Sequence, residues 1–109
     1  MKITTLAAPI ANYIAAANTQ DIEAVTACFT DRAVVHDEKQ DRQGIAAIRK
    51  WAEEVSAKYR PTVEVLGVTR TDRTTVIAGR VSGDFPNSPL ELRYAFTLNG
   101  GKIERLEIA

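Results

Sequence analysis

The sequence predicts an α+β domain in which three N-terminal helices pack on a strongly curved antiparallel sheet, forming a cone-shaped barrel with one pocket. Three observations predict it. Through residue 59, apolar side chains recur at steps of three and four, as on one face of a helix. From Thr62 onward, four runs rich in β-branched and aromatic residues alternate with turn signals. Between them lies AVVHDEKQDRQGIAAIR, Ala33 to Arg49, where the chain turns extended, then polar, then helical again. Helices covering one face of a strand meander enclose a concavity, the natural place for a ligand. The 109 residues suit a single domain, residues 1–109, large enough to bury a real core.

Leu6, Ile10, Tyr13, Ile14 and Ala17 share one face of the first helix. Pro9 fits only in a first turn, which puts the start near Ala7 or Ala8. Asn18 and Thr19 are good N-caps for a second helix, with Asp21 and Glu23 in its first turn and Ile22, Val25 and Phe29 on its buried side. So short a join makes the two helices a hairpin. In the central stretch an extended chain sends Val35 and Asp37 to one face and Val34 and His36 to the other. The charged run from Glu38 reads as a solvated loop or lid. A third helix spans about Gly44 to Tyr59, with Ile45, Ile48, Trp51 or Ala52, Val55 and Tyr59 on its stripe. Arg60-Pro61 ends it, because a residue before proline is pushed out of the helical region.

Thr62 to Val68, Thr74 to Ser82, Leu90 to Leu98 and Lys102 to Ile108 read as strands. The connections are Thr71-Asp72-Arg73, the stretch from Gly83 to Pro89, and Asn99-Gly100, whose residues suit the positive φ of a type I′ turn. Short connections make neighbouring strands antiparallel. Leu92, Tyr94, Phe96 and Leu98 alternate cleanly onto one face, whereas the last strand slips between Ile103 and Leu106, the sign of a bulge or an edge.

Composition narrows the function. Fourteen basic residues balance fourteen acidic ones, eight of each up to residue 60 and six of each after it, so no basic surface points to nucleic acid or to a membrane. Cys28 has no partner for an internal disulfide, which suits a cytoplasmic protein, and between Val25 and Phe29 it reads as a buried structural thiol. The N-terminal ITTLAAPIANYIAAA is too broken by Pro9, Asn12 and Tyr13 for a signal peptide and too short to span a bilayer. The sequence has no phosphate-cradling glycine loop, no Cys/His metal array and no Ser-His-Asp set, so we expect no cofactor and no metal.

Asp37, at the end of a short strand, is the foremost candidate. In an apolar cavity desolvation would raise its pKa and make it a general base; alternatively it opens a turn and accepts backbone hydrogen bonds. Tyr13 either aims its hydroxyl into the pocket or packs as core. Tyr94 faces inward with Leu92 and Phe96. His36, the one histidine, has a pKa suited to acid-base work, but strand parity sends it away from Asp37. Trp51 seals the pocket from the third helix, packs in the core or serves as a stacking platform for an aromatic ligand, and Leu92, Phe96, Leu98, Val35 and Phe29 complete the expected lining. Arg80 and Arg93 belong on the outer sheet face unless parity turns one inward as an anion clamp.

The segments YIAAANTQDIEAVTACFTDRAVVHDE from Tyr13, QGIAAIRKW from Gln43 and LRYAFTLNGGKIERLEI from Leu92 resemble the nuclear transport factor 2-like superfamily, the cystatin-like α+β barrel, and within it SnoaL-like and ketosteroid-isomerase-like proteins. The likeness covers nearly the whole chain. It implies isomerase, dehydratase or polyketide-cyclase-like chemistry, or ligand binding and association on the same fold. Tyr13 falls where the isomerases carry an oxyanion-stabilising tyrosine and Asp37 where they carry the carboxylate base. Tyr94 stands in place of their protonated acid, and Glu38 in place of a proline after the base. Some relatives use a His and Asp pair, which keeps His36 among the catalytic candidates. The resemblance further implies a homodimer through the sheet. The expected function is cofactor-free proton transfer on a small apolar carbonyl compound; the alternative is a non-catalytic ligand-binding or association domain.

Overall fold

The computed structural model describes residues 6–109; Met1 to Thr5, the start of the stretch read against a signal peptide, lie outside the described residues. Helix α1 (Ala8–Asn18) carries Pro9 in its first turn and buries Ile10, Tyr13 and Ile14. Helix α2 (Ile22–Ala27) is capped by Asp21, whose carboxylate accepts the Ala24 amide at 3.1 Å. Asn18 and Thr19 are thus not its caps. Instead the Asn18 side-chain amide pairs with the backbone of Val63, donating to its carbonyl at 3.0 Å and accepting its N–H at 2.7 Å. Phe29 leaves the helix and opens strand β1 (Phe29–Asp37).

The charged run expected as a loop is a hairpin. Glu38 and Lys39, at φ of 54° and 62°, form its two-residue turn, and strand β2 (Gln40–Gln43) pairs back on β1, with His36 opposite Asp41. Helix α3 (Ile45–Tyr59) follows; it buries Ile48, Trp51 and Ala52 and ends on Arg60 in the left-handed conformation before Pro61. Strands β3 (Thr62–Thr71), β4 (Thr74–Ser82), β5 (Leu90–Asn99) and β6 (Lys102–Ile108) form the expected antiparallel meander. The turn between β5 and β6 is shifted by one residue, with Gly100 and Gly101 rather than Asn99 and Gly100 taking the positive φ values.

The sheet departs from the expectation in two ways. It is mixed, because β1 lies parallel to β6, and the order β2-β1-β6-β5-β4-β3 leaves β2 and β3 as open edges among the described residues, so it does not close into a barrel. Strand β6 is therefore interior, and its slip is a bulge: Thr97 pairs with Arg105 and Leu98 with Ile103, leaving Glu104 as the extra residue. The bulge turns both Ile103 and Leu106 into the core, where neither is exposed. Phe29 and Phe96 anchor that core, with the Tyr13 ring edge-on to each at 5.9 and 5.7 Å between centroids. No helix among the described residues is long and apolar enough to cross a membrane.

The double hydrogen bond from Asn18 ties α1 to β3 across 45 residues of sequence. Asn18→Ala leaves both Val63 backbone groups without it, and we expect a loss of roughly 1–3 kcal/mol in urea unfolding at unchanged m-value. A change within the few tenths typical of a surface site would contradict this role.

Candidate functional site

Helices and sheet enclose a cavity of about 350 Å³, bounded by Tyr13, Asp37, Trp51, Leu92 and Tyr94 and, toward its mouth, by Glu38, Tyr59 and Phe85. Strand parity delivers Asp37 to it. Val35 points inward and is fully enclosed in the core; two residues on, at the end of β1, the same face opens on the cavity. From α3, Trp51 Nε1 donates to Asp37 Oδ2 at 3.0 Å, leaving Oδ1 toward other partners. The Arg42 guanidinium of β2 donates to the Asp37 backbone carbonyl and to that of Gln40 at 3.3 Å, so the hairpin that carries the carboxylate is itself braced.

Burial pushes the Asp37 carboxyl above the ordinary aspartate range; the Trp51 hydrogen bond opposes this, the Glu38 charge adds to it, and Arg42 and the Glu38 amide work against it. The two phenols respond in the same sense. Burial holds Tyr13 well above its usual value, with Tyr94 and Asp37 next in effect, and burial followed by Asp37 does the same for Tyr94. Both remain protonated donors at neutral pH. Neither hydroxyl has a hydrogen-bond partner among the described residues, yet neither is an enclosed polar atom, so both open on cavity space.

Of the residues the sequence nominated, Tyr13, Asp37, Trp51, Leu92 and Tyr94 meet here. The others do not. Phe96 lies under the Tyr13 ring and stacks with Tyr94 at 6.4 Å, and Phe29 and Val35 are likewise sealed in the core, so these three support the wall from behind. Leu98 packs against the core beyond the cavity's end. His36 faces outward and binds Asp41 across the hairpin at 2.6 Å. Arg80 is exposed and pairs with Glu64 at 3.2 Å, and Arg93 is exposed too, so neither is an anion clamp in the cavity. Cys28 is buried, its thiol donating to the Ala24 carbonyl at 3.3 Å.

Two features went unread. The rim is knotted at Tyr59: its hydroxyl donates to Glu38 Oε2 at 3.1 Å, its ring meets Phe85 edge-on at 5.9 Å, and its carbonyl accepts the Asp84 amide at 2.7 Å. Gly79, across the sheet, makes room for Tyr94, since a Cβ there would stand 2.8 Å from Val63 Cγ1 and 3.3 Å from Tyr94 Cε1. A second depression of about 480 Å³, bordered by Glu38, Arg42, Glu54 and Lys58, adjoins the first across Trp51 and Tyr59, so the expected single pocket has a neighbour.

In the unfolded chain Asp37 titrates in the ordinary carboxylate range, and in the fold it titrates higher. The folded state therefore holds this proton more tightly. Asp37 favours folding below the ordinary range, and that contribution is lost as pH rises through the folded value. Asp37→Asn keeps an acceptor for Trp51 and removes the ionisation, so we expect it to stabilise the protein at pH 7 by on the order of 1 kcal/mol or less, after allowing for solvent at the cavity mouth. The gain should vanish near pH 3, below the ordinary aspartate pKa of about 3.9. Urea midpoints at the two pH values check it.

The model of the SnoaL-like domain family matches residues 10–106. No curated protein matches the chain. Among solved structures, a protein of Sinorhizobium meliloti named as a candidate polyketide cyclase is 35% identical over 95% of each chain, with a TM-score of 0.92. A hypothetical Catenulispora acidiphila protein with a ketosteroid isomerase-like fold, solved with trimethylamine, is 15% identical over 96% of this chain and 86% of its own, at a TM-score of 0.83. The epoxide hydrolase/cyclase-like enzyme SalBIII of salinomycin pyran-ring formation is 22% identical over 92% and 85%, at 0.75. The last two likenesses concern the fold alone.

Proposed function

The chain belongs to the SnoaL-like domain family, and we propose that it catalyses cofactor-free proton transfer on a small apolar carbonyl compound bound in the cavity. One observation carries the reading: a partly buried carboxylate, fixed by Trp51 and raised in pKa, shares an apolar cavity with two protonated phenols that bind no other group among the described residues. Such a set suits enolisation. Asp37 takes a proton from the carbon next to a carbonyl; the electron pair of the broken C–H bond moves onto the carbonyl oxygen; Tyr13 and Tyr94 donate hydrogen bonds to the oxyanion. Return of the proton to another carbon gives isomerisation, attack of the enolate carbon on a second carbonyl gives cyclisation, and loss of a β-hydroxyl as water gives dehydration. The name of the Sinorhizobium meliloti relative supports the second of these.

The same fold also supports a non-catalytic reading, ligand binding or association as a homodimer through the sheet. Val65 and Leu66 on the outer strand β3 are the observation in its favour, both being exposed large apolar side chains. In that reading the protein sediments as a dimer at micromolar concentration, and a monomer counts against it.

The catalytic reading is tested by α-proton exchange into deuterated water, followed by NMR on an enolisable bicyclic ketone such as 2-tetralone. We expect Asp37→Asn to lower the rate roughly 10²- to 10⁴-fold and Tyr13→Phe roughly 10²-fold. Exchange by the unsubstituted protein no faster than in buffer, or unaltered in Asp37→Asn, sinks the catalytic reading.

A further inference from the structure

Charge at the cavity is as informative as its shape. Among the described residues that line it, the carboxylates of Asp37 and Glu38 are the only charged groups, and no lysine, arginine or histidine joins them. Asp37 stands on the wall. Glu38, beside it at the hairpin tip, is held at the rim by the Tyr59 hydroxyl. Two cations lie near, one of them paired with Glu38 itself. The Arg42 guanidinium serves the carbonyls of Asp37 and Gln40, with Nη2 3.6 Å from Glu38 Oε1, and Lys58 Nζ sits over the Tyr59 ring at 5.0 Å. Neither borders the cavity.

From this arrangement we infer that the cavity admits uncharged esters and ketones and turns away carboxylates and phosphates, with Glu38 as the specificity-determining residue at its mouth. The inference rests on the reading of the cavity as a ligand site. An entering anion gives up its hydration, passes Glu38, comes to rest near Asp37 and meets only neutral phenol donors. An uncharged carbonyl uses the same donors without that repulsion. Recognition of an anion calls for a guanidinium or ammonium aimed inward, and the sheet arginines Arg80 and Arg93 are outside.

Trp51 is the sole tryptophan and borders the cavity, so its fluorescence reports binding. The probes are methyl adamantane-1-carboxylate and adamantane-1-carboxylate, alike in their apolar cage and different in charge. At low salt the carboxylate should bind at least about tenfold more weakly than the ester. That ratio should narrow as salt is raised toward about 0.5 M, because part of the repulsion acts through solvent at the mouth. Glu38→Gln, which keeps an acceptor for Tyr59, should narrow it several-fold at low salt, and Glu38→Lys further still. Equal affinities in the unsubstituted protein overturn the inference, as does a ratio that neither salt nor either substitution moves, or no binding of either probe. Ester binding without α-proton exchange in the ketone assay removes the catalytic reading alone, so the two fail separately.

Discussion

The parallel pairing of β1 with β6 is the constraint on which the rest of the structure depends. A strand that follows two helices has to find a sheet to join, and β1 finds the last strand of the meander, with Val35 opposite Leu106 and His36 opposite Glu107. Register then decides chemistry. With Val35 turned into the core, Asp37 shares its face and emerges where the sheet ends, near Tyr94, while His36 is committed to the outside. A slip of one residue would exchange the histidine for the aspartate at the cavity. The bulge at Glu104 belongs to the same arrangement, since it lets β6 present Ile103 and Leu106 to one core while bonded on both sides.

On this frame the site is assembled from separate parts of the chain: a carboxylate from β1, an indole from α3, phenols from α1 and β5. The indole matters because it opposes what burial does. Desolvation alone would press the carboxyl toward the neutral form; one hydrogen bond from Trp51 retains some stabilisation for the anion and leaves the second oxygen available. The phenols, deeper in apolar surroundings, stay protonated across neutral pH. A base and two donors held at different depths have their protonation states set apart by environment, not by residue type alone.

Residues whose roles follow from local pattern were legible in the sequence. Pro9 marked the start of α1, Arg60-Pro61 the end of α3, and strand alternation placed Asp37 and Tyr94 inward and His36 outward. What depended on distant partners was not. Nothing near β1 in the sequence announces β6 as its neighbour, so an all-antiparallel sheet was expected. Glu38-Lys39 lacks the Asn or Gly that signals a two-residue hairpin, and the run of charge hid β2. Asn18 resembled a helix cap because Asn is good at that task, but its amide is used 45 residues away. Phe96 had the right parity for the cavity and is excluded by Tyr13, a helix residue lying over it.

The use made of Asn18 reaches beyond the stability of α1. Among the described residues strand β3 pairs only with β4, so the groups along its other side near Val63 are positions at which a foreign strand would add. The side-chain amide of Asn18 imitates a peptide there and occupies both groups of Val63. Three residues on, the ladder is already broken, because Leu66 is the extra residue between Val65 and Gly67. A peptide plug followed by a bulge leaves an invading strand no unbroken start at this end of β3, which guards the longer of the two edges seen among the described residues against uncontrolled polymerisation.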